Sequence, residues 1–434
     1  MEQGMRLLKK RMFISIGIVL TLIFFLGGCK KRLEPNVVLI VIDTLRADHL
    51  SFHGYDVNTS PFLASIASQN VVFENAFSAS SWTAPATASI FTSLYPFQHG
   101  VVMGMAASKG HKIEINRIPD EIKTITEILK ESGYATYGVA ENINIGRKMN
   151  FTQGFDRFKK FPYPKNRINP QLMAWSDEMK SKSKYFLYIH FNDPHKPYHR
   201  RSPWYEKKEN PKDDLVSRYD SEINFVDKKI KRLYELFEWD MNTLLFITAD
   251  HGEEFWEHDS QGHGGTLYSE VIHIPLIVQL PGKANVSKVI RENVSNMDVL
   301  PTIRSFLDIK SKETEEGVDL MPLIRGKRKY NRGRYIFSHL DRIRQQKGDL
   351  KCIASIFENW KLIFHMHGGR ELFNLKEDPM EKLNVYEENM ELAGSLLGEF
   401  MKFEEDCLKF SQKRAHVTLD EKELEELRAL GYIK

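Results

Sequence analysis

Three apolar runs in this chain end abruptly in acids. Val37–Ile42 in "NVVLIVID" is unbroken and mostly β-branched, and it stops at Asp43. "YFLYIHFND" stops at Asp193, and "TLLFITADHG" stops at Asp250 and His251. "ATYGVAEN", 135–142, is a fainter fourth run. Continuous apolar runs of this length predict strands buried on both faces. Between them lie helical patterns. "SPFLASIASQN" has a Ser-Pro start, "PDEIKTITEILKESG" has acids in front and glycine behind, and "VSRYDSEINFVDKKIKRLYELFE" is a long amphipathic stretch. Strands alternating with helices predict an α/β fold: a large, mostly parallel mixed sheet with helices on both faces. Functional groups in such sheets collect at the carboxyl ends of the strands, where Asp43, Asp193, Asp250 and His251 fall. After about residue 330 the texture changes. Short pieces such as "RYIFSHL", "KCIASIFEN" and "WKLIFHM" predict a small antiparallel sheet, followed by charged helices through "LDEKELEELRALGY".

The N-terminus has a different character. Arg6, Lys9, Lys10 and Arg11 precede an apolar run from Met12 to Leu26, the architecture of an export signal. Leu26-Gly27-Gly28-Cys29 resembles the bacterial lipoprotein box, which implies cleavage before Cys29 and acylation of its thiol. An uncleaved membrane anchor is the alternative, and both tether the protein outside the cytoplasmic leaflet. The expected organisation is a signal peptide at 1–28, a tether at 29–35, a catalytic domain at 36–330 and a C-terminal subdomain at 331–434. The expected location is the bacterial cell envelope, lipid-anchored, periplasmic or surface-exposed.

The 434 residues are 42% hydrophobic and 27% charged, with a net charge of +3 that leans on the N-terminal cluster. A nearly neutral body without a basic patch argues against a nucleic-acid partner. Of three cysteines, Cys352 and Cys407 follow the tether. One disulfide between them is open, and no Cys-x-x-Cys spacing suggests a cysteine metal site.

Carboxylates and an imidazole at converging strand ends suit a divalent cation: calcium, magnesium, manganese or zinc, as one ion or two. "SSWTAPATASIFTSLYP" reads as a loop feeding a helix near Pro85, with Thr83 either an N-cap or a nucleophile activated by that cation. The helix start adds backbone donors suited to an anionic substrate.

"NVVLIVIDTLRADHLSFHGY", "WTAPATASIFTSLYPFQHG", "NDPHKPY", "TADHGEEFWEHDSQGHG" and "LFNLKEDPMEKLNV" together resemble the sulfatase family of the alkaline phosphatase superfamily. The resemblance runs from about residue 36 to the C-terminus. It implies metal ligation by Asp43, Asp250 and His251, with Thr83 as ligand and nucleophile. His195 and His263 would be catalytic contacts to the substrate anion or, with Asp193, ligands of a second metal. Two departures stand out. Thr44 replaces a second acid, and Thr83 replaces the cysteine or serine that sulfatases oxidise to formylglycine. A secondary alcohol cannot yield that aldehyde, and Thr87 stands where an arginine is usual.

The implied enzyme is a metal-dependent hydrolase of sulfate or phosphate esters on a glycan or lipid. Phosphoryl transfer or phosphodiester cleavage is one alternative, and a catalytically silent binding protein another. Trp82 is expected to pack, Arg46 and Asp48 to pin the loop after the first strand, and His49, His53, His99 and His258 to be structural. Lys196 is a weak anion-binding candidate.

Overall fold

The computed structural model describes residues 34–105, 115–162, 166–282, 287–327, 333–344, 348–409 and 415–417. The export signal with Cys29 and the tail pattern at 419–432 lie outside the described residues. The described residues from Asn36 onward belong to one compact unit.

Among the described residues the main sheet has nine strands. In chain order they are β1 (Asn36–Ile42), β2 (Val71–Phe77), β3 (Ala135–Ala140), β4 (Arg157–Lys160), β5 (Tyr185–Phe191), β6 (Thr243–Ala249), β7 (His273–Gln279), β8 (Lys288–Ile290) and β9 (Val294–Ser295). Their spatial order is β8-β2-β7-β6-β1-β5-β3-β4, with β9 also paired to β2. Only β7 runs antiparallel to its neighbours, β2 and β6. Every residue of β5 and β6 is buried, as unbroken apolar runs require when both faces are covered.

Register sets the site. Ile42 at the end of β1 pairs with Phe191 on one side and Ala249 on the other. Asp43, Asn192 and Asp250 therefore leave three adjacent strands at one level. Thr44 turns the chain away with φ 59°, a left-handed conformation that costs a β-branched residue about 1–3 kcal/mol. The Tyr219 hydroxyl donates to its carbonyl at 2.7 Å and helps to hold the turn.

Helix α1 (Thr83–Thr92) is buried at all ten positions. Trp82, not Thr83, is its N-cap residue, with extended backbone and no side-chain cap bond. Thr83 is thus the first helical residue, which frees its hydroxyl from capping. Helix α2 (Pro211–Phe237), capped by Asn210, covers the sheet with Tyr219, Ile223, Val226, Ile230 and Leu233.

The C-terminal sheet is antiparallel in sequential order: β10 (Ile336–Arg344), β11 (Gly348–Phe357), β12 (Trp360–His365) and β13 (Gly368–Asn374). Helix α3 (Met390–Leu408) lays Ala393 and Leu396 on Leu362 and Leu372, and Phe400 on Phe337 and Tyr95. Cys352 and Cys407 are buried, and no disulfide joins them. No helix among the described residues is long and apolar enough to cross a membrane.

Candidate active site

Asp43, Asp250 and His251 are fully buried, at the carboxyl ends of β1 and β6. Each carboxylate divides its oxygens between two tasks. Asp43 Oδ2 accepts the Asn142 side-chain N–H and lies 3.4 Å from His190 Nε2. Asp250 Oδ1 accepts the backbone N–H groups of His251 at 2.9 Å and Thr44 at 3.4 Å. Asp43 Oδ1 and Asp250 Oδ2 are left with no hydrogen-bond donor.

His251 turns a third electron-rich atom to the same place. Its Nδ1 is 2.8 Å from the Gly252 carbonyl, which can only accept, so Nδ1 carries the proton. Burial, reinforced by His263, pushes the ring's pKa down to about 3. The Nε2 lone pair therefore faces Asp43 Oδ1 at 3.5 Å and Asp250 Oδ2 at 3.6 Å. Thr83 Oγ1 lies 3.3 Å from the same nitrogen. Two donor-less carboxylate oxygens, a neutral imidazole and a hydroxyl around one point are the ligand chemistry of a divalent cation. Without one, burial and the charge on Asp43 drive the Asp250 carboxyl well above its usual range. Burial works in the same direction on Asp43, but His195 and the hydrogen bond from His190 hold it well below. The residues present thus fit a metal ion.

His190 adds a fifth candidate, since Asp43, His190 and Asp250 each offer an atom within 4.8 Å of the others. Its Nδ1 is 2.8 Å from the Tyr188 hydroxyl, and its Nε2 faces the already engaged Asp43 Oδ2. That arrangement makes it a hydrogen-bond donor steadying Asp43.

A row of imidazoles leads away from Thr83. The His251 and His263 ring centroids are 4.5 Å apart, and those of His263 and His195 are 5.0 Å apart. His263 Nδ1 donates to buried Glu253 at 2.9 Å, and His195 Nδ1 donates to the Lys196 carbonyl at 2.6 Å. An acceptor behind each ring fixes its tautomer and leaves Nε2 for other partners. Glu253 Oε2 also accepts the Tyr198 hydroxyl at 2.8 Å.

Asp193 stands apart from the metal-type cluster. Its Oδ2 accepts from Lys229 Nζ at 2.7 Å, and Glu141 Oε2 lies 3.6 Å from the same ammonium. Arg46 forks onto Asp48 and reaches the Glu253 carbonyl and Glu257, pinning the loop after β1. His99 bridges Ser89 and the Val101 N–H inside the fold, and Trp82 is buried.

Sequence reasoning missed Asn142, His190, Glu253 and Lys229. Asn142 donates to Asp43 and to Asn192 Oδ1 at 2.9 Å, and its Nδ2 lies 3.5 Å from Thr83 Oγ1. A polar residue just past a strand was its only signal. For His190 the signal was stronger, a lone imidazole inside an otherwise apolar strand.

Fold and site together define an ester hydrolase with a mixed, mostly parallel sheet. A family model described as Sulfatase matches residues 35–309, and one described as N-sulphoglucosamine sulphohydrolase, C-terminal, matches residues 263–403. The chain belongs to the sulfatase family and is a sulfatase-like ester hydrolase. An ulvan-active sulfatase of Formosa agariphila is 24% identical over 384 residues, 73% of this chain and 73% of that protein. A delta 4,5-hexuronate-2-O-sulfatase of Bacteroides thetaiotaomicron is 20% identical over 426 residues, 83% and 86% of the two chains. The phosphonate monoester hydrolase of Agrobacterium radiobacter shares the fold, with TM-score 0.71 and 17% identity over 89% of this chain and 100% of that one.

Proposed function

We propose that this chain hydrolyses a singly charged anionic ester with Thr83 Oγ1 as nucleophile. The observation that carries the reading is Thr83 Oγ1 at 3.3 Å from His251 Nε2, beside the two donor-less carboxylate oxygens. Asp43, Asp250, His251 and Thr83 would hold a divalent cation. When bound, it supplies positive charge that favours the deprotonated threonine hydroxyl and offsets charge on the ester oxygens.

The chain's own residues supply the rest. Thr83 Oγ1 forms the new bond to phosphorus or sulfur as His263 Nε2, its lone pair left open by the Nδ1–H bond to Glu253, takes the hydroxyl proton; that proton passes to the leaving oxygen as its bond breaks. Water then attacks the same centre, gives its proton to His263 Nε2, and the released Thr83 oxygen takes that proton back. Glu253 keeps the His263 ring oriented for both transfers. His195 Nε2 is placed to contact the ester oxygens. One threonine hydroxyl suffices for this route, because hydrolysis of the intermediate breaks the bond to phosphorus or sulfur and needs no second hydroxyl.

Charge selects the substrate. Two carboxylates and one divalent cation sum to zero, and among the described residues the hydrogen-bond partners of Thr83, His251 and His263 are each other, Asn142, the Gly252 carbonyl and Glu253, none of them cationic. Sulfate monoesters, phosphodiesters and phosphonate monoesters carry one negative charge and match this inventory better than a phosphomonoester dianion. Relatives described as acting on ulvan and on hexuronate 2-O-sulfates favour a glycan carrier. We further propose that Cys29 is the lipid attachment point holding the enzyme in the bacterial envelope, which loss of labelled-palmitate incorporation in Cys29→Ser would support.

The test is a panel assay of cation-loaded protein. para-Nitrophenyl sulfate, bis(para-nitrophenyl) phosphate and para-nitrophenyl phenylphosphonate are compared with para-nitrophenyl phosphate. Turnover of a monoanionic ester at least about tenfold above the dianion is expected. Preference for the dianion would overturn the charge argument. No turnover with any of the four cations would favour the silent binding protein.

A further inference from the structure

The segment after His251 is held from outside its own strand. The Gly252 N–H donates to the Val271 carbonyl at 3.0 Å, and the Glu253 N–H to the Glu270 carbonyl at 2.9 Å. A Cβ on residue 252 would clash with the Glu270 carbonyl oxygen, so glycine is what lets the two stretches come this close. The short helix Ser269–Ile272, which supplies both carbonyls, therefore sets where Glu253 stands. Glu253 in turn holds His263 through Oε1.

That helix is anchored by residues of the C-terminal sheet and the turn beyond β13. The Ser269 N–H donates to Glu381 Oε2 at 2.6 Å. Lys361 Nζ, on β12, lies 2.7 Å from Glu381 Oε1 and donates to Ser269 Oγ at 3.3 Å. His258 makes a second tie, with Nδ1 2.6 Å from Glu270 Oε1 and Nε2 3.0 Å from the Glu381 carbonyl. Both partners are acceptors, so the ring spans them as the imidazolium. Tyr268 stacks on that ring at 3.6 Å, and its hydroxyl donates to Glu371 on β13 at 2.7 Å. Lys382 donates to the Glu257 carbonyl. Glu381 itself has φ 53°, a left-handed conformation that a residue other than glycine keeps only where its contacts over-determine it.

Lys361 and Glu381 are both buried, and a buried ion pair gains little stability over apolar side chains of the same volume. What this pair adds is direction: Lys361 engages one carboxylate oxygen and leaves the other aimed at the Ser269 N–H. We propose that Glu381 is a positioning residue, which fixes the helix Ser269–Ile272 and through it the Glu253–His263 pair. The part of that pair in catalysis rests on the function proposed above; the hold on the backbone does not.

Two double variants of the full chain separate position from stability. Lys361→Met/Glu381→Gln removes both charges but keeps a side-chain oxygen for the Ser269 N–H. Lys361→Met/Glu381→Leu removes that oxygen as well. By hydrogen exchange, the Gly252 and Glu253 amides should open about tenfold more often or more in the Leu variant than in wild type, and within about threefold of wild type in the Gln variant. With para-nitrophenyl sulfate and bis(para-nitrophenyl) phosphate, kcat should fall at least about tenfold in the Leu variant and at most about threefold in the Gln variant, with KM within about twofold. If the Leu variant melts early, His258→Phe replaces it. Phenylalanine keeps the stack on Tyr268, drops both ring bonds, and should speed exchange at Gly252 and Glu253 at least about threefold over wild type. Unchanged exchange, equal exchange in the Leu and Gln variants, or a kinetic change confined to KM would overturn the proposal. So would faster exchange with an unaltered kcat in an active enzyme. Faster exchange in the Leu variant of a chain that turns over no ester would keep the positioning and sink the catalytic reading.

Discussion

Lys229 Nζ lies 2.7 Å from Asp193 Oδ2 inside the protein, with Glu141 Oε2 3.6 Å from the same ammonium. Asp193 follows Asn192 and Glu141 precedes Asn142, and those two asparagines are bonded to each other at 2.9 Å. One lysine on α2 thus ties together two strand ends of the site. Lys229→Met takes the nearest cation from two buried carboxylates, leaving Asp193 the more distant Arg201 at 3.8 Å, and should cost about 3–5 kcal/mol. Urea unfolding measures the loss, and Lys229→Met/Asp193→Asn should recover at least half of it. Equal stability of wild type and single variant would show that the pair does not hold the strand ends.

Cation binding should be visible in stability before any substrate is added. A cation at a hundredfold excess over its Kd should raise wild-type stability by about 2.7 kcal/mol. Asp250→Asn removes one donor-less oxygen and the repulsion with Asp43. It should melt at or above the wild type in chelator, gain nothing from the cation, and bind none by elemental analysis. A variant that still gains from the cation would place the ion elsewhere.

Acid should destabilise the fold through His99. The ring is buried, accepts the Val101 N–H at Nδ1 and has its pKa pushed down to about 3 by burial, against 6.5 for an ordinary histidine. Above pH 6.5 it is neutral in both folded and unfolded chains and its contribution is fully present. As pH falls toward 3 the unfolded chain takes up the proton first, and stability is lost. At about pH 5 the loss from this group is about 2 kcal/mol. Urea midpoints across this range should fall with a smaller slope in His99→Gln, and an identical slope would refute the assignment.

Glu253→Gln keeps size but removes the carboxylate behind His263 and weakens the hold on its tautomer. The expected result is a fall in kcat of roughly 10²-fold or more with KM little changed. The pH–rate profile should change shape too. A change confined to KM would make Glu253 a binding residue instead.

Much of this site was legible because parallel strands deliver their ends to one edge of a sheet. Asp43, Asp250 and His251 follow apolar runs, and equal register turns those run ends into neighbours. Thr83 was marked by the proline-started helix, although the cap proved to be Trp82. Asn142 and Lys229 gave no comparable signal. Asn142 follows a faint strand, and Lys229 sits on a helix where lysines are ordinarily solvated. Their roles depend on which side chains meet across elements distant in sequence. Asp193 shows the converse: its position at a strand end suggested a ligand, while its partner is an ammonium from α2.

The most direct measurement is the mass of the peptide carrying Thr83 after rapid acid quench of cation-loaded protein with a monoanionic ester. One added phosphoryl or sulfuryl group on Thr83 is expected, present in Thr83→Ser on the new hydroxyl and absent in Thr83→Ala. Turnover in Thr83→Ala should fall by at least about 10³-fold. A group trapped on another residue, or turnover that survives Thr83→Ala, would contradict the nucleophile assignment.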